Sequence, residues 1–380
     1  MSQLANLKIW IDGYEANVPQ RLGSSQVAFE LLRNLEKIDQ KNNYTVILAG
    51  PPMDDLPKER PGWKYKILKF NKFKTYLVLP WILFTAKEKP NLFFSPTHYA
   101  PVVSPVPRVM MIFDLAYLRF PQFFKPQDLY QMRLWTKISL MQADRIITIS
   151  KSSRDDIIKY YGINKDKITI AYPGYNSASF HHFKNKAQID QIKDKYKIIG
   201  NYAIFIGTVQ PRKNLVRLIE AFKNIDQLKL VVVGKTTGLG RQAWMFEEIL
   251  RKPKELGIEE KVVFTGFVPD EDLPYLIGGA QVFLLPSLWE GFGIPALESM
   301  ACGTPVIVSN VSSLPEVVGS AGILVDPYNT EQIEQSIRVL AFDKRLRMEK
   351  SKEGLRQAKK FSWEKMARQV LKVFEEVANN

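Results

Sequence analysis

The sequence predicts an α/β protein of two domains, each a doubly wound, Rossmann-like parallel sheet. Three observations carry that expectation. The chain has 380 residues, about two and a half times the usual length of one domain. Short β-branched and aromatic runs alternate with longer amphipathic segments from end to end, which is the pattern of βα units around parallel sheets. Near the middle, Tyr172-Pro173-Gly174-Tyr175-Asn176 supplies turn chemistry and is followed by the polar stretch HHFKNKAQIDQIKDKYKI. That composition shift places a domain boundary between Pro173 and Phe183.

Taken in chain order, the strands expected in a first domain of residues 1–174 are Leu7 to Asp12, Thr45 to Leu48, Tyr65 to Phe70, Leu92 to Ser95, Val109 to Phe113, Arg145 to Ile149 and Ile168 to Tyr172. A second domain, residues 175–361, should contain Ala203 to Gly207, Lys229 to Gly234, Val262 to Thr265, Val282 to Pro286, Pro305 to Ser309 and Gly322 to Val325. A terminal helix from Trp363 completes the chain over residues 362–380. Sheets of this kind carry their active loops at the carboxyl ends of the strands. A ligand is therefore expected in a cleft between the two sheets.

Composition bounds the function. With 46% hydrophobic and 24% charged residues the chain is globular and not a disordered tail. The one cysteine, Cys302, excludes an internal disulfide and a cysteine zinc site and points to a reducing compartment. The first residues lack a basic segment followed by an apolar core, so no signal peptide is expected and the protein is predicted to be cytoplasmic. The apolar run Tyr76 to Ala86 is broken by Pro80 and is far shorter than the ~20 residues of a spanning helix. The net charge of +14 calls for an anionic partner: polyanion, phosphate or acidic membrane.

The most informative stretch is PSLWEGFGIPALESMACGTPVIVS, residues 286–309. A buried strand ends, Glu290 follows in a loop, and Gly291-Phe292-Gly293 allows close backbone approach to a ligand. Pro295 suits the first turn of a helix whose unpaired N–H groups form an anion site. Glu298 is expected in that first turn, facing the same pocket as Glu290. Two carboxylates beside an anion-binding helix end suit a ligand with both hydroxyls and phosphates; the plain alternative is a dipole-complementing Glu298 and a solvated Glu290. A second stretch, Gly207-Thr208-Val209-Gln210-Pro211-Arg212-Lys213-Asn214, lies between the strand YAIFIG and the helix LVRLIEAF. Two cations at such a turn are placed to hold a diphosphate, arginine as a fork and lysine as a point charge.

These segments, with VVFTGFVPDEDLPYL (262–276) and FSWEKMARQVL (361–371), resemble the retaining, nucleotide-sugar-dependent glycosyltransferases of family 4 (glycosyl transferases group 1). The acid, seven residues, acid spacing from Glu290 to Glu298 is the most specific mark, and weaker similarity runs through the first half. The resemblance implies the GT-B fold, two Rossmann-like domains facing a central cleft, the first binding the acceptor and the second the donor. It implies a hexosyltransferase in which Arg212 and Lys213 neutralise the diphosphate, Glu290 holds a donor-sugar hydroxyl and Glu298 holds the ribose. Backbone at Gly291, Phe292, Gly293 and Ile294 would touch the sugar, and Gly23-Ser24 would approach the donor phosphate. No metal or other cofactor is expected. The PRKN form of the cationic turn resembles mannosyltransferases of surface-polysaccharide assembly, which favours GDP-mannose over a UDP-sugar as donor, with a glycan or lipid-linked acceptor.

There are departures. Where many relatives have histidine before aspartate, this chain has Phe113-Asp114, and His98 in SPTHYAP is the residue expected to reach the same cleft and replace it in part. Gly23-Ser24-Ser25 stands where relatives often have a second glycine. Other matches fail on their own chemistry. Gly234-Lys235-Thr236 lacks the earlier glycine of a P-loop, since Lys229 stands there. Asp270-Glu271-Asp272 reads as the acidic opening of a helix, Ser313 with Glu316 reads as a capping box, Cys302 as core, and His181-His182 as linker.

Most of the positive charge lies in the first half: residues 1–180 contain 25 Lys+Arg and 15 Asp+Glu. From Lys58 to Lys89 nine basic residues and two acidic ones are interleaved with Trp63, Tyr65, Phe70, Phe73, Tyr76, Trp81 and Phe84. Such a surface suits peripheral docking on anionic lipid; an ordinary amphipathic strand and helix is the alternative. Nucleic acid is disfavoured because no recognition module is present. A nucleotide-sugar epimerase or hydrolase on the same fold remains the nearer rival.

Overall fold

The computed structural model describes residues 6–68, 74–183, 185–234 and 241–379, with the side chains of 74 and 241–245 outside that description. Phe70, Phe73, Lys235 and Thr236 therefore lie outside the described residues. The chain divides into two compact units, Met1–Gly174 with Ser362–Asn380, and Tyr175–Phe361.

The first unit is a seven-stranded, all-parallel sheet. Its strands are β1 (Lys8–Asp12), β2 (Asn43–Leu48), β3 (Trp63–Ile67), β4 (Leu92–Ser95), β5 (Arg108–Ile112), β6 (Arg145–Thr148) and β7 (Ile168–Ile170), in the order β3-β2-β1-β4-β5-β6-β7. In register, Ile9 of β1 sits between Tyr44 and Leu92. Every residue of β4 is buried, as a strand covered by helices on both faces requires. The edge strand β3 instead turns Lys64 and Lys66 outward, which blunts an edge open to pairing. Direction reverses between β1 and β4, so the loops that follow them part and leave a crevice at their carboxyl ends.

The terminal helix Trp363–Ala378 belongs to this unit. Ser362 Oγ caps it by accepting from the Lys365 N–H, and its inner face buries Trp363, Met366, Ala367, Val370, Val373, Phe374 and Val377. Phe374 meets Phe94 of β4 edge-on at 5.0 Å. The points where the chain leaves and re-enters the unit touch: a Cβ on Gly174 would lie 2.1 Å from the Trp363 nitrogen, so only glycine fits.

The second unit is a six-stranded parallel sheet. It contains β8 (Tyr202–Ile206), β9 (Lys229–Val233), β10 (Val262–Gly266), β11 (Val282–Leu285), β12 (Val306–Ser309) and β13 (Ile323–Val325), ordered β10-β9-β8-β11-β12-β13. Its reversal lies between β8 and β11, both buried along their whole length. Gly234 directly follows β9, where a Cβ would come within 2.0 Å of the Gly207 carbonyl oxygen. Close packing of two strand ends thus accounts for this glycine.

Of the thirteen strands among the described residues, twelve fall within one or two residues of the runs read from the sequence; β3 starts at Trp63, two residues early, and its expected end at Phe70 is outside the described residues. Cys302 is buried as expected. His182 is more than linker, since its Nδ1 lies 3.3 Å from the Cys302 carbonyl oxygen. No helix among the described residues is long and apolar enough to cross a membrane.

Candidate functional site

In the second unit the residues singled out by sequence meet at the strand reversal. After β8 the chain makes one tight turn, Pro211–Lys213, and Asn214 takes a left-handed conformation with φ 59°. The Asn214 side-chain amide donates to the carbonyls of Pro286, at 2.9 Å, and Pro327, at 2.6 Å, which ties the turn to the loop after β11. The Leu288 N–H donates to the Arg212 carbonyl at 2.8 Å and completes the tie. Held in this way, Lys213 Nζ lies 2.6 Å from Glu290 Oε1 and Arg212 Nη1 lies 3.3 Å from Glu290 Oε2. Arg212 also donates to the Trp289 carbonyl.

Glu290 is buried. Burial by itself disfavours its ionised form, but the ammonium of Lys213 and the guanidinium of Arg212 outweigh that and hold its pKa down at about 2. A carboxyl this acidic stays ionised at any working pH. It accepts hydrogen bonds and fixes charge, and it does not serve as a proton donor. Two cations against one carboxylate leave the cluster with a net positive charge.

That helix is Ile294–Ala301. Gly293 precedes it with φ 101°, no side chain caps it, and Pro295 occupies its first turn. A Cβ at Gly293 would lie 2.6 Å from Leu314 Cδ2, so the glycine is demanded by both conformation and space. Gly291 is buried and Ile294 half-buried in this loop. The Phe292 ring is turned into the core, edge-on to Phe361 at 5.6 Å.

Two expectations are corrected here. Glu298 is the fifth residue of the helix, past its first turn, which holds no acidic residue; complementing the helix dipole is therefore not its role, because that effect fades within one turn. Its pKa is instead raised to about 8, chiefly by burial and further by the charge of Asp270. Ser313 does not form a capping box. No side-chain cap bond is made at that helix start, and Ser313 Oγ donates to the carbonyls of Glu290, at 2.9 Å, and Phe292, at 3.0 Å. Ser312 Oγ accepts from the Glu290 N–H at 3.1 Å. The two serines hold the glutamate loop in shape.

Asp270 and Asp272, read together as an acidic helix opening, have separate jobs. Asp272 accepts from Lys195 Nζ at 2.6 Å and from the Tyr196 hydroxyl at 2.7 Å, whereas Asp270 acts on Glu298.

The first unit has its own cavity at the β1/β4 reversal, of about 560 Å³. Asp12 lines it from the end of β1, Tyr14 and Glu15 from the loop after β1, Ser24 from the start of the next helix, His98 from the loop after β4, and Phe113-Asp114 from just past β5. Gly23, with φ 57°, starts the helix Ser24–Ile38, and a Cβ there would meet nothing within 4 Å. Its glycine is required by backbone conformation and not by crowding. Ser25 Oγ donates to Glu15 Oε2 at 2.9 Å.

His98 is the residue that joins Phe113. The two rings stack at 5.8 Å, and His98 Nε2 accepts from the Phe113 N–H at 3.2 Å. Burial keeps the imidazole below its ordinary pKa, with Asp114 and Glu15 pulling the other way. The ring is thus a neutral imidazole whose Nε2 is occupied, leaving the Nδ1–H as its donor. Asp114 Oδ1 is engaged by the Ala116 N–H at 2.9 Å.

Comparison with known proteins accounts for both halves. A family described as glycosyl transferases group 1 matches residues 188–361, and one described as glycosyltransferase family 4 matches residues 23–179. The O-antigen chain mannosyltransferase B of Escherichia coli is 33% identical over 289 residues, covering 75% of this chain and 74% of that protein. Among solved structures, the sucrose-phosphate synthase of Thermosynechococcus elongatus superposes with a TM-score of 0.77 at 20% identity over 98% of this chain and 99% of that one. Anabaena HepE in complex with UDP-glucose does so with a TM-score of 0.77 at 17% identity over 98% and 100%.

Proposed function

This chain belongs to the group 1, family 4 glycosyltransferases and has their GT-B fold, and we propose that it transfers a hexose of the mannose or glucose type from a nucleotide diphosphate sugar to a glycan or lipid-linked acceptor, with retention of configuration. The observation that carries the reading is the Arg212–Lys213–Glu290 cluster at the reversal of the second sheet. Breaking the donor's glycosidic bond leaves a nucleoside diphosphate, so the chief demand is for fixed positive charge where negative charge accumulates. Arg212 and Lys213, half-buried and already oriented by Glu290, meet that demand. In the proposed complex they divide their charge between Glu290 and the diphosphate, while Glu290 accepts from donor-sugar hydroxyls and the Phe292 to Ile294 backbone lies along the sugar.

Glu298 receives the ribose hydroxyls in this scheme. Gly23 and Ser24 approach the donor phosphate from the first unit, and His98 offers its Nδ1–H to a sugar hydroxyl near Asp114. No residue is asked to act as a general acid: the permanently ionised Glu290 is unsuited to it, and attack on the face from which the leaving group departs lets a donor phosphate oxygen take the acceptor's proton. The carboxylate pair of most glycosidases is then unnecessary. GDP-mannose is the favoured donor, on the PRKN turn and on the similarity to a mannosyltransferase of O-antigen chains; that similarity also favours polysaccharide assembly as the setting. UDP-glucose, named with the HepE structure, is the second donor to try.

Proton NMR of the product tests the reading. From an α-linked donor an α-linked product is expected, and a β-linked product would remove the retaining mechanism. Free sugar released at full rate with no acceptor present would instead favour the epimerase or hydrolase alternative.

A further inference from the structure

The loop that follows β1 is shaped by side chains outside the sheet, and Arg21 joins most of them. Gly13 opens the loop flat against β2: its N–H donates to the Ile47 carbonyl at 2.9 Å, and a Cβ there would lie 2.4 Å from Val46 Cγ1. Asn17 then ties it to the loop after β2, its side-chain amide donating to the Pro51 carbonyl at 2.9 Å and its Oδ1 accepting from the Met53 N–H at 2.9 Å. Arg21 closes it. Its Nε donates back across the loop to the Ala16 carbonyl at 2.8 Å. Its Nη1 and Nη2 grip the two carboxylate oxygens of Asp55, the Nη2 bond measuring 2.9 Å, and Nη2 also lies 3.7 Å from Met53 Sδ. The guanidinium carbon stands 3.7 Å from the ring centroid of Phe29, which is buried on the helix Ser24–Ile38. One side chain thus braces both arms of the loop against a helix on one side and a second loop on the other.

Every nitrogen of this guanidinium is engaged within the unit, so Arg21 holds shape and spends its donors on the loop. Folding stability is a weak reason for the pair, because the Asp55 side chain is 54% exposed and an ion pair so open to water contributes little. What the contacts fix is position. Ala16 directly follows Tyr14 and Glu15, which line the first unit's cavity, and Gly23, whose φ of 57° sets the helix start, stands two residues after Arg21. We propose that Arg21, braced by Asp55, is the positioning residue of the donor-phosphate loop and sets where Gly23 and Ser24 stand relative to Tyr14 and Glu15. This rests on the reading that Gly23 and Ser24 approach the donor phosphate. A displacement of about 1 Å in such a loop costs up to about 10²-fold in rate. The role calls for arginine, whose rigid fork reaches Asp55 and the Ala16 carbonyl together, where lysine would supply a single point of attachment.

Single-turnover release of nucleoside diphosphate from GDP-mannose, and then from UDP-glucose, tests it on the full chain with methyl α-mannoside as acceptor. That rate constant, unlike the yield, does not fall when part of a sample is unfolded. Arg21→Ala should lower it by about 10- to 100-fold, and Arg21→Lys should not restore it. Asp55→Ala, a change at the surface, should lower it by about threefold or more while moving the thermal midpoint by no more than about 3 °C. The double variant should be no slower than Arg21→Ala alone, since the two side chains act as one unit. Amide exchange of residues 14–24 should quicken in Asp55→Ala, with that of β1 and β2 unchanged. Rescue by Arg21→Lys, losses that add in the double variant, or unchanged exchange would each overturn the proposal. Faster exchange with wild-type rates would sink this proposal alone, whereas a wild-type chain that releases no diphosphate from either donor would sink the glycosyl-transfer reading and this proposal with it.

Discussion

Glu290 and Glu298 are eight residues apart in one short segment and are held in opposite protonation states at neutral pH. Glu290 has two cations within hydrogen-bond reach and a pKa of about 2; Glu298 has burial and Asp270 against it and a pKa of about 8. If Glu298 receives two ribose hydroxyl donors, it must ionise to do so, and binding is then coupled to loss of a proton. Nucleotide affinity measured by titration calorimetry should rise by up to tenfold per pH unit on approach to pH 8 and level off above it. Glu298→Gln should bind weakly with no such rise, and Asp270→Asn should shift the rise to lower pH. The sign for stability is opposite. A carboxyl whose folded pKa lies above its ordinary 4.5 favours folding in its neutral form, a contribution complete below that value and lost as pH climbs toward 8. A wild-type affinity profile flat from pH 6 to 9 would remove Glu298 from the ribose.

At the scale of elements, strands were legible because buried parallel strands are apolar along their whole length, as in Tyr202–Ile206 and Val282–Leu285. Helix starts were less so. Placing the helix after Gly293 by its proline put Glu298 one residue too early, at the end of the first turn and not just past it, since Ile294 opens the helix. Ser313 looked like a cap because Glu316 follows three residues later, a local pattern that the contact with Glu290, 23 residues away, overrides. The Arg212 and Lys213 contacts to Glu290 span 78 and 77 residues. Sequence identified all three residues as a chemistry, and only the sheet topology made them neighbours. The terminal helix gives a stability prediction. Phe374 is fully buried against Phe94, so Phe374→Ala should destabilise the first unit by about 3–5 kcal/mol in urea unfolding. A loss below about 1 kcal/mol would mean that this helix is not part of that unit's core.

Across the whole molecule, the arithmetic of length and charge resolves into two parallel sheets with different electrostatic characters at their reversals. The second unit gathers a net positive cluster from Arg212, Lys213 and Glu290, whereas the first unit's cavity is lined by Asp12, Glu15 and Asp114, with no Lys or Arg among the described residues of its lining. The +14 surplus is concentrated in the first half of the chain, where Lys64 and Lys66 of β3 are among its exposed cations. This division was only half legible in sequence. The basic, aromatic run from Lys58 to Lys89 was visible, whereas the contact of its Tyr76 with Trp135 of the helix Pro126–Gln142 arises only in the folded unit. The central claim is that the Arg212–Lys213–Glu290 cluster holds the diphosphate of a nucleotide sugar. The most direct measurement is titration of GDP-mannose, and then UDP-glucose, into wild type and Lys213→Ala, with single-turnover rates on the same samples. The account predicts binding by wild type and, in the variant, a rate lower by about 10²- to 10³-fold; equal binding and equal rates in the two proteins would contradict it.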